Sequence, residues 1–338
     1  MENKHIIIIG LGSIGQRHLR NIRKLYPESI ITVVRRSLKN TVPCEDLADN
    51  IVNSIDRAIK ISKPYACIIA SPAPFHVQDA LKFIEIGCPV LIEKPLSNQV
   101  SGVSDLIVQA MNNNTICMVA YVMRFLPTMD RIKEIINTKR YGEVITATIS
   151  AGQYLPNWRP ELDYRNTVSA QKKLGGGALL ELSHEIDYMN YLFGMPSRVN
   201  AIVSSTNRLE IDVEDSVDCI LEYASGHCLS LHLDFLQKMP TRFCEISFEQ
   251  AHLRWEINKG HLYLENSNHE KYIEEVPLIN NDTYISETEY FFECIAKSEK
   301  PSVGLKEGHD VLMLIEAMSI SSNRKKSVEL KMESDHQT

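Results

Sequence analysis

His5-Ile6-Ile7-Ile8-Ile9-Gly10-Leu11-Gly12-Ser13-Ile14-Gly15 runs an apolar strand straight into three glycines, and a helical pattern follows at once. In such a turn Gly10 permits the tight bend. Gly12 lets the backbone approach a ligand with no side chain in the way, and Gly15 lets the helix pack close to the strand. The amide N–H groups around Ser13 and Ile14, with the positive end of the helix dipole, then face an anion. A strand before and a helix after make this spacing read as a dinucleotide pyrophosphate site.

Working outward, apolar runs recur at 30–34, 66–70, 89–92 and 116–119, and Asn50 to Asn53 adds a short strand. The segments between them carry helical spacing, with Val77, Ala80, Leu81 and Ile84 on one face. Buried runs separated by helices predict a parallel sheet covered on both sides. The pattern changes after a helix at about 122–138. Residues 143–153 alternate, 154–177 are polar, and 178–193 read as one helix. From 197 to 276 the chain is mostly strands, with turns at Ala224-Ser225-Gly226 and Asn258-Lys259-Gly260. Leu229, Leu231, Leu233 and Phe235 point one way and Ser230, His232 and Asp234 the other, as in an open sheet with one covered face. Helices at 284–298 and 305–321 close the chain. The expected fold class is α/β: a doubly wound Rossmann sheet over 1–122, then an α+β domain with a large, open, mostly antiparallel sheet over 123–325. A polar, frayed tail over 326–338 is expected to follow.

A chain of 338 residues is long for one domain, which agrees with two. The net charge of −7 opposes a nucleic-acid or anionic-membrane partner. No apolar run reaches the length of a membrane span, and the first strand begins too early to leave room for a signal peptide. Eight cysteines without a Cys-x-x-Cys pair predict free thiols, a cytoplasmic setting and no structural metal. Cys67 and Cys117 fall inside strand runs, as small hydrophobes do.

In dinucleotide turns an acid about twenty residues beyond the glycines usually holds the ribose 2′-hydroxyl. Here the second strand ends Val33-Val34-Arg35-Arg36-Ser37, with no acid between Ser29 and Lys39. Two guanidiniums and a hydroxyl suit a 2′-phosphate, so NADP(H) is expected over NAD(H), with NAD(H) the alternative.

Strands four and five end at Ile69-Ala70-Ser71-Pro72 and Leu91-Ile92-Glu93-Lys94-Pro95, where ligands bind in open parallel sheets. With His76 between them, Arg124-Phe125-x-Pro127, and Gly175-Gly176-Gly177 leading into His184-x-x-Asp187, the chain resembles the glucose–fructose oxidoreductase / inositol dehydrogenase (Gfo/Idh/MocA) family. The resemblance implies a nicotinamide cofactor, sugar or polyol substrates, and homodimers or homotetramers through the C-terminal sheet. It places Ser71, Pro72, His76, Glu93 and Lys94 at the cofactor, Lys94 also at the substrate, and His184 as acid/base. Chemistry supports those two roles: a lysine at a strand end can stabilise a forming alkoxide, and a neighbouring cation favours the neutral histidine that accepts a proton.

At 100° per residue Leu179, Leu182, Ile186, Met189 and Phe193 form the apolar stripe of helix 178–193. Glu181, His184, Asp187 and Tyr191 fall opposite. Glu181 and Asp187 lie three residues either side of His184 and can fix its tautomer. Many family members carry an aspartate four residues before the histidine; here Leu180 stands there, which leaves Glu181 either a substitute or outside the pairing. The long segment 154–177 is expected to select substrate. Trp158 and Tyr164 can stack on a sugar ring, and Arg159 and Arg165 can pair with phosphate or carboxylate, with Arg124, Glu181 and Asp187 nearby. The alternative for this loop is packing on a second subunit. The expected reaction is hydride transfer at a hydroxyl or keto carbon of a sugar or sugar derivative, with an anionic, phosphate- or nucleotide-linked sugar among the expected substrates. Two alternatives share the residues: a glycosidase or lyase that recycles its cofactor, and a dinucleotide-binding sensor or scaffold without catalysis.

Overall fold

The computed structural model describes residues 4–38 and 41–330. The chain forms two compact units. One holds the residues up to Val122 together with Asn281–Leu312, and the other holds Met123–Asn280 together with the residues from Met313 onward.

The first unit follows from its apolar runs. β1 (His5–Ile9) is buried along its whole length because helices cover both faces of its sheet. After it come α1 (Ser13–Leu25), β2 (Ile30–Val34), β3 (Asn50–Val52), α2 (Ile55–Ile61), β4 (Ala66–Ile69), α3 (His76–Ile84), β5 (Val90–Glu93), α4 (Val103–Asn112) and β6 (Cys117–Ala120). The strands pair in parallel in the order β3-β2-β1-β4-β5-β6. The order reverses between β1 and β4, which opens a crevice at their carboxyl ends. Cys67 in β4 and Cys117 in β6 are buried within the sheet, as expected.

The second unit opens with α5 (Pro127–Asn137) and β7 (Val144–Gly152). The expected helix at 122–138 is split, because Pro127 starts a new helix after a 3-10 turn at Val122–Phe125. Segment 154–177 is built from four short 3-10 turns. The expected single helix over 178–193 breaks at Leu182 (φ −96°, ψ 25°) into α6 (Ala178–Glu181) and α7 (Ser183–Phe193). β8 (Arg198–Ser204), β9 (Ser216–Glu222), β10 (Cys228–Asp234), β11 (Thr241–Phe248), β12 (Ala251–Glu256), β13 (His261–Asn266) and β14 (Lys271–Glu275) follow. Their sheet runs β14-β13-β12-β11-β7-β10-β9-β8-β15, antiparallel except where β7 lies parallel to β10. Leu229, Leu231 and Leu233 are buried on its covered face, as the alternation requires.

The ending of the chain differs from expectation in two ways. α8 (Asn281–Lys297) belongs with the first unit. Phe292 meets Tyr26 edge-on at 4.9 Å, and Asn281 Nδ2 donates to Asn21 Oδ1 at 2.9 Å. An amphipathic pattern shows that a face is buried, not which sheet covers it. α9 (Leu305–Arg324) is divided between the units at Leu312, and Ser321 and Ser322 Oγ accept the N–H groups of Ala201 and Val203 on β8. The expected tail also begins in order: β15 (Val328–Glu329) pairs with β8. The remainder of that tail, 331–338, lies outside the described residues. No helix among the described residues is long and apolar enough to cross a membrane.

Candidate active site

The glycine turn of the first unit has the shape that a diphosphate needs. Gly10 has φ +89°, and a Cβ there would sit 2.6 Å from the carbonyl oxygen of Ala70. A Cβ on Gly15 would lie 2.2 Å from the Gly10 carbonyl oxygen, so this glycine lets α1 press onto the turn. A Cβ on Gly12 would meet nothing within 4 Å. The middle glycine therefore borders open space. Gln16 N–H makes the first helical bond, onto Gly12 C=O at 2.9 Å. The amides of Ser13, Ile14 and Gly15 precede it and have no acceptor within the helix. These residues fit a dinucleotide pyrophosphate.

The adenosine end is less cationic than the sequence suggests. Arg35 is ion-paired with Glu45, which arrives on a 3-10 turn beyond β2. Glu45 lies outside the window where the sequence places the usual ribose acid, so spacing alone did not reveal it. Arg36 stacks on Phe75 at 3.6 Å and lies 3.3 Å from both carboxylate oxygens of Asp79. Ser71 Oγ donates to the same Asp79 at 2.9 Å. Arg36, with half its side chain exposed, is the better placed of the two arginines for an incoming anion. Ser37 closes the segment in the open part of the surface.

Glu93, the last residue of β5, is buried. Its Oε1 is 2.7 Å from His18 Nε2, and its Oε2 accepts the N–H of Lys94 at 3.2 Å. One carboxylate thus joins the helix behind the glycine turn to the backbone of Lys94. His18 was missed by the sequence reading, although its place three residues past Gly15 puts it one helical turn further on. Pro72 follows β4 and starts the turn Ala73–Phe75. His76 was expected at the cofactor, but it is buried with Nδ1 2.9 Å from Pro95 C=O and Nε2 2.6 Å from Ser71 C=O. It ties the ends of β4 and β5 together, and burial pushes its pKa down. The Lys94–Pro95 peptide is cis.

In the second unit the glycines before His184 serve the fold of their own loop. A Cβ on Gly176 would lie 2.4 Å from Val168 C=O. Gly177 has φ +115°, and a Cβ there would lie 2.3 Å from Glu214 Oε1. Glu214 accepts the Leu179 N–H at 3.1 Å, and burial holds its carboxyl above the usual range. At both glycines the close approach is to the protein's own chain.

α7, which carries half-buried His184, is gripped by two ion pairs whose acids are fully buried. Asp187 is fully buried and takes Arg124 through three contacts of 2.6–3.2 Å. Arg124 also lies 4.7 Å over the ring of Tyr191. Glu185, likewise fully buried, takes Arg242 Nε at 2.6 Å, and Arg242 reaches Met123 Sδ at 3.0 Å. Glu185 and Asp187 lie about 200° apart on the helix, so the arginines hold it from two sides. Arg124 and Asp187, expected at the substrate, are therefore engaged with each other. The 187 side of the helix is not a solvated face, and Glu185 and Arg242 were not singled out by the sequence at all. Glu181 ends α6, immediately before the break.

In the 154–177 segment Trp158 packs edge-on against Phe235 at 5.4 Å. Arg165 pairs with Asp163 and Glu210, two carboxylates that meet the charge expected to hold an anionic substrate. Tyr164 opens that turn half-buried and Arg159 is exposed. On the sheet, His232 sits between Asp234 (2.8 Å) and Asp218 (2.7 Å), which hold its pKa up at about 9.

Residues 4–121 match the model described as "Oxidoreductase family, NAD-binding Rossmann fold", and residues 129–254 match the GFO/IDH/MocA C-terminal domain. The curated relatives include trans-1,2-dihydrobenzene-1,2-diol dehydrogenase of Xenopus tropicalis, 25% identical over 170 residues, covering 50% of this chain and 49% of that protein. They also include 2,7-anhydro-N-acetylneuraminate hydratase of Mediterraneibacter gnavus, 24% identical over 200 residues, covering 59% of this chain and 52% of that protein. The chain spans about half the length of the curated relatives it matches. Among solved structures, levoglucosan dehydrogenase in complex with NADH and levoglucosan superposes with a TM-score of 0.86 at 19% identity, over 98% of this chain and all of that one. That likeness is one of fold. With both halves matched by one family's models, the chain belongs to the Gfo/Idh/MocA oxidoreductase family, and its first part is that family's NAD-binding Rossmann domain.

Proposed function

We propose that the protein is a nicotinamide-dependent dehydrogenase or reductase acting at a hydroxyl or keto carbon of a sugar, polyol or sugar derivative. The observation that carries this reading is Lys94 at the carboxyl end of β5, fixed through Glu93 to the helix behind an open glycine turn. The relative named trans-1,2-dihydrobenzene-1,2-diol dehydrogenase supports a hydroxyl-bearing substrate, and the fold shared with levoglucosan dehydrogenase agrees with it. In oxidation His184 accepts the hydroxyl proton, and Lys94 donates a hydrogen bond to the oxygen as its negative charge grows. In reduction both steps reverse. The bound nicotinamide supplies the hydride acceptor or donor. A panel of sugars and polyols, assayed with NAD⁺ and NADP⁺ at the reduced-nicotinamide absorbance band, tests the reading. At least one substrate should give a sustained change; none in either direction opposes it.

The hydratase relative favours a second reading, because adding water involves no net oxidation. There the cofactor would be reduced and restored within one cycle. Product formed without accumulation of free reduced cofactor marks that case.

NADP(H) is the proposed preference, and it rests on Arg36. Arg36→Ala should weaken NADPH binding about 10-fold and spare NADH, since one charge-assisted contact to a phosphate contributes about 1.5–3 kcal/mol. Fluorescence titration of both reduced cofactors measures this; equal losses, or tighter NADH binding by the unaltered protein, end the claim. Self-association through the outer face of the nine-stranded sheet is also proposed. Ile202 on β8 and Ile220 on the neighbouring β9 lie exposed on that one face, Ile202 opposite Asp218 and Ile220 opposite Asn200. Sedimentation equilibrium should find a dimer or tetramer, and Ile220→Lys should shift it toward monomer; a monomeric parent protein contradicts the proposal.

A further inference from the structure

Glu287, in the second turn of α8, is fully buried in the first unit, and neither carboxyl oxygen has a hydrogen-bond partner. An ionised carboxylate in that setting would carry a desolvation cost of several kcal/mol with nothing to offset it. A carboxylic acid bears no net charge and costs far less. Among the described residues none donates a hydrogen bond to it, and the charged group that bears on it is Glu93. α1, packed against α8, presents His18, Asn21 and Arg17. His18 Nε2 is held by Glu93, Asn21 Oδ1 is bonded to Asn281, and Arg17 lies on the ring of Tyr284 at 4.1 Å. β5 presents Glu93, a second acid. His18 Nδ1 is also buried without a partner.

We propose that Glu287 keeps its proton in the folded protein, so that the turn bearing Lys94 is backed by one buried carboxylate, Glu93, and not by two. Burial first, and the Glu93 charge second, hold the Glu287 carboxyl well above the usual carboxylate range, in agreement with this geometry. The consequence for Lys94 rests on the functional reading above: a second anion beside Glu93 would favour the charged ammonium further and bind it to the protein at the expense of the substrate oxygen. A neutral Glu287 adds no charge beside Glu93 and so leaves the Lys94 ammonium to the substrate oxygen.

The test needs no substrate, so its outcome is independent of whether the oxidoreductase reading survives. Infrared difference spectra of the full chain against Glu287→Gln at neutral pH should show the C=O stretch of a protonated carboxylic acid, present only in the parent. Glu287→Gln and the apolar isostere Glu287→Met should both fold and bind NADH within about threefold of the parent. A folded-state pKa above the unfolded one stabilises most at low pH and loses that contribution as pH rises toward the folded value. The parent's stability should therefore fall as pH rises from the usual carboxylate range toward the raised folded value, and the Gln variant's curve should be flatter over that window. NMR titration of 13C-dimethylated lysines, with Lys94→Arg to assign the signal, should place Lys94 unchanged in Glu287→Gln. Absence of the acid band, parallel stability curves for the parent and the Gln variant above the usual carboxylate range, or a lowered Lys94 pKa in that variant would each show an ionised Glu287. Loss of folding in both variants would show a carboxylate with a partner, and would overturn the proposal equally.

Discussion

Replacing His184 by Asn should lower turnover at least about 100-fold while leaving NADH affinity near that of the parent, because a positioned proton transfer, the role proposed for it, contributes about 10²–10⁴-fold. Asparagine keeps the size and polarity of the ring but has no group that titrates near neutrality. His184 stands on α7, whose two ends of charge, Glu185 and Asp187, are already engaged by Arg242 and Arg124. The imidazole is therefore carried on a helix whose azimuth is fixed, which is what a proton acceptor requires of its support. The measurement is steady-state kinetics on the substrate found in the panel, with fluorescence titration of NADH as control. Turnover within a few-fold of the parent would remove His184 from the chemistry. A parallel loss of NADH affinity would instead indicate a damaged fold.

The second large effect concerns stability. Asp187→Asn should destabilise the protein by about 3–5 kcal/mol, since it leaves the Arg124 guanidinium buried without its counter-charge. The double variant Arg124→Met/Asp187→Leu should lose much less, because no lone charge remains inside. Urea denaturation at constant slope measures both. A single-variant loss under about 1 kcal/mol would mean that the pair is solvated or replaced, and that α7 is held by its apolar face alone.

Much of the first unit was legible because its signals are local. The run Ile6 to Ile9, the spacing Gly10-x-Gly12-x-x-Gly15 and the strand ends at Ser71 and Lys94 each specify nearby backbone, and strand and helix follow. What stayed hidden depends on partners distant in sequence. Glu45 reaches Arg35 only once its turn folds back beyond β2. His76 looks like a polar residue at a crevice until the carbonyls of Ser71 and Pro95 are placed on its ring. The acid at 187 reads as an exposed residue by angle, yet Arg124, 63 positions earlier, draws it inside. Helical angle assigns faces correctly only when the partner of each face is apolar or water. α8 shows the same limit, since Phe291 and Phe292 require burial without naming the sheet that supplies it.

The central claim is that Lys94 and His184 serve one reacting carbon. A structure of the protein with reduced cofactor and the panel's substrate, or a close analogue, tests it directly. The account predicts Lys94 Nζ and one imidazole nitrogen of His184 within about 3 Å of the same substrate oxygen, above the nicotinamide ring. A substrate held elsewhere, or either side chain turned from that oxygen in the ternary complex, would contradict it.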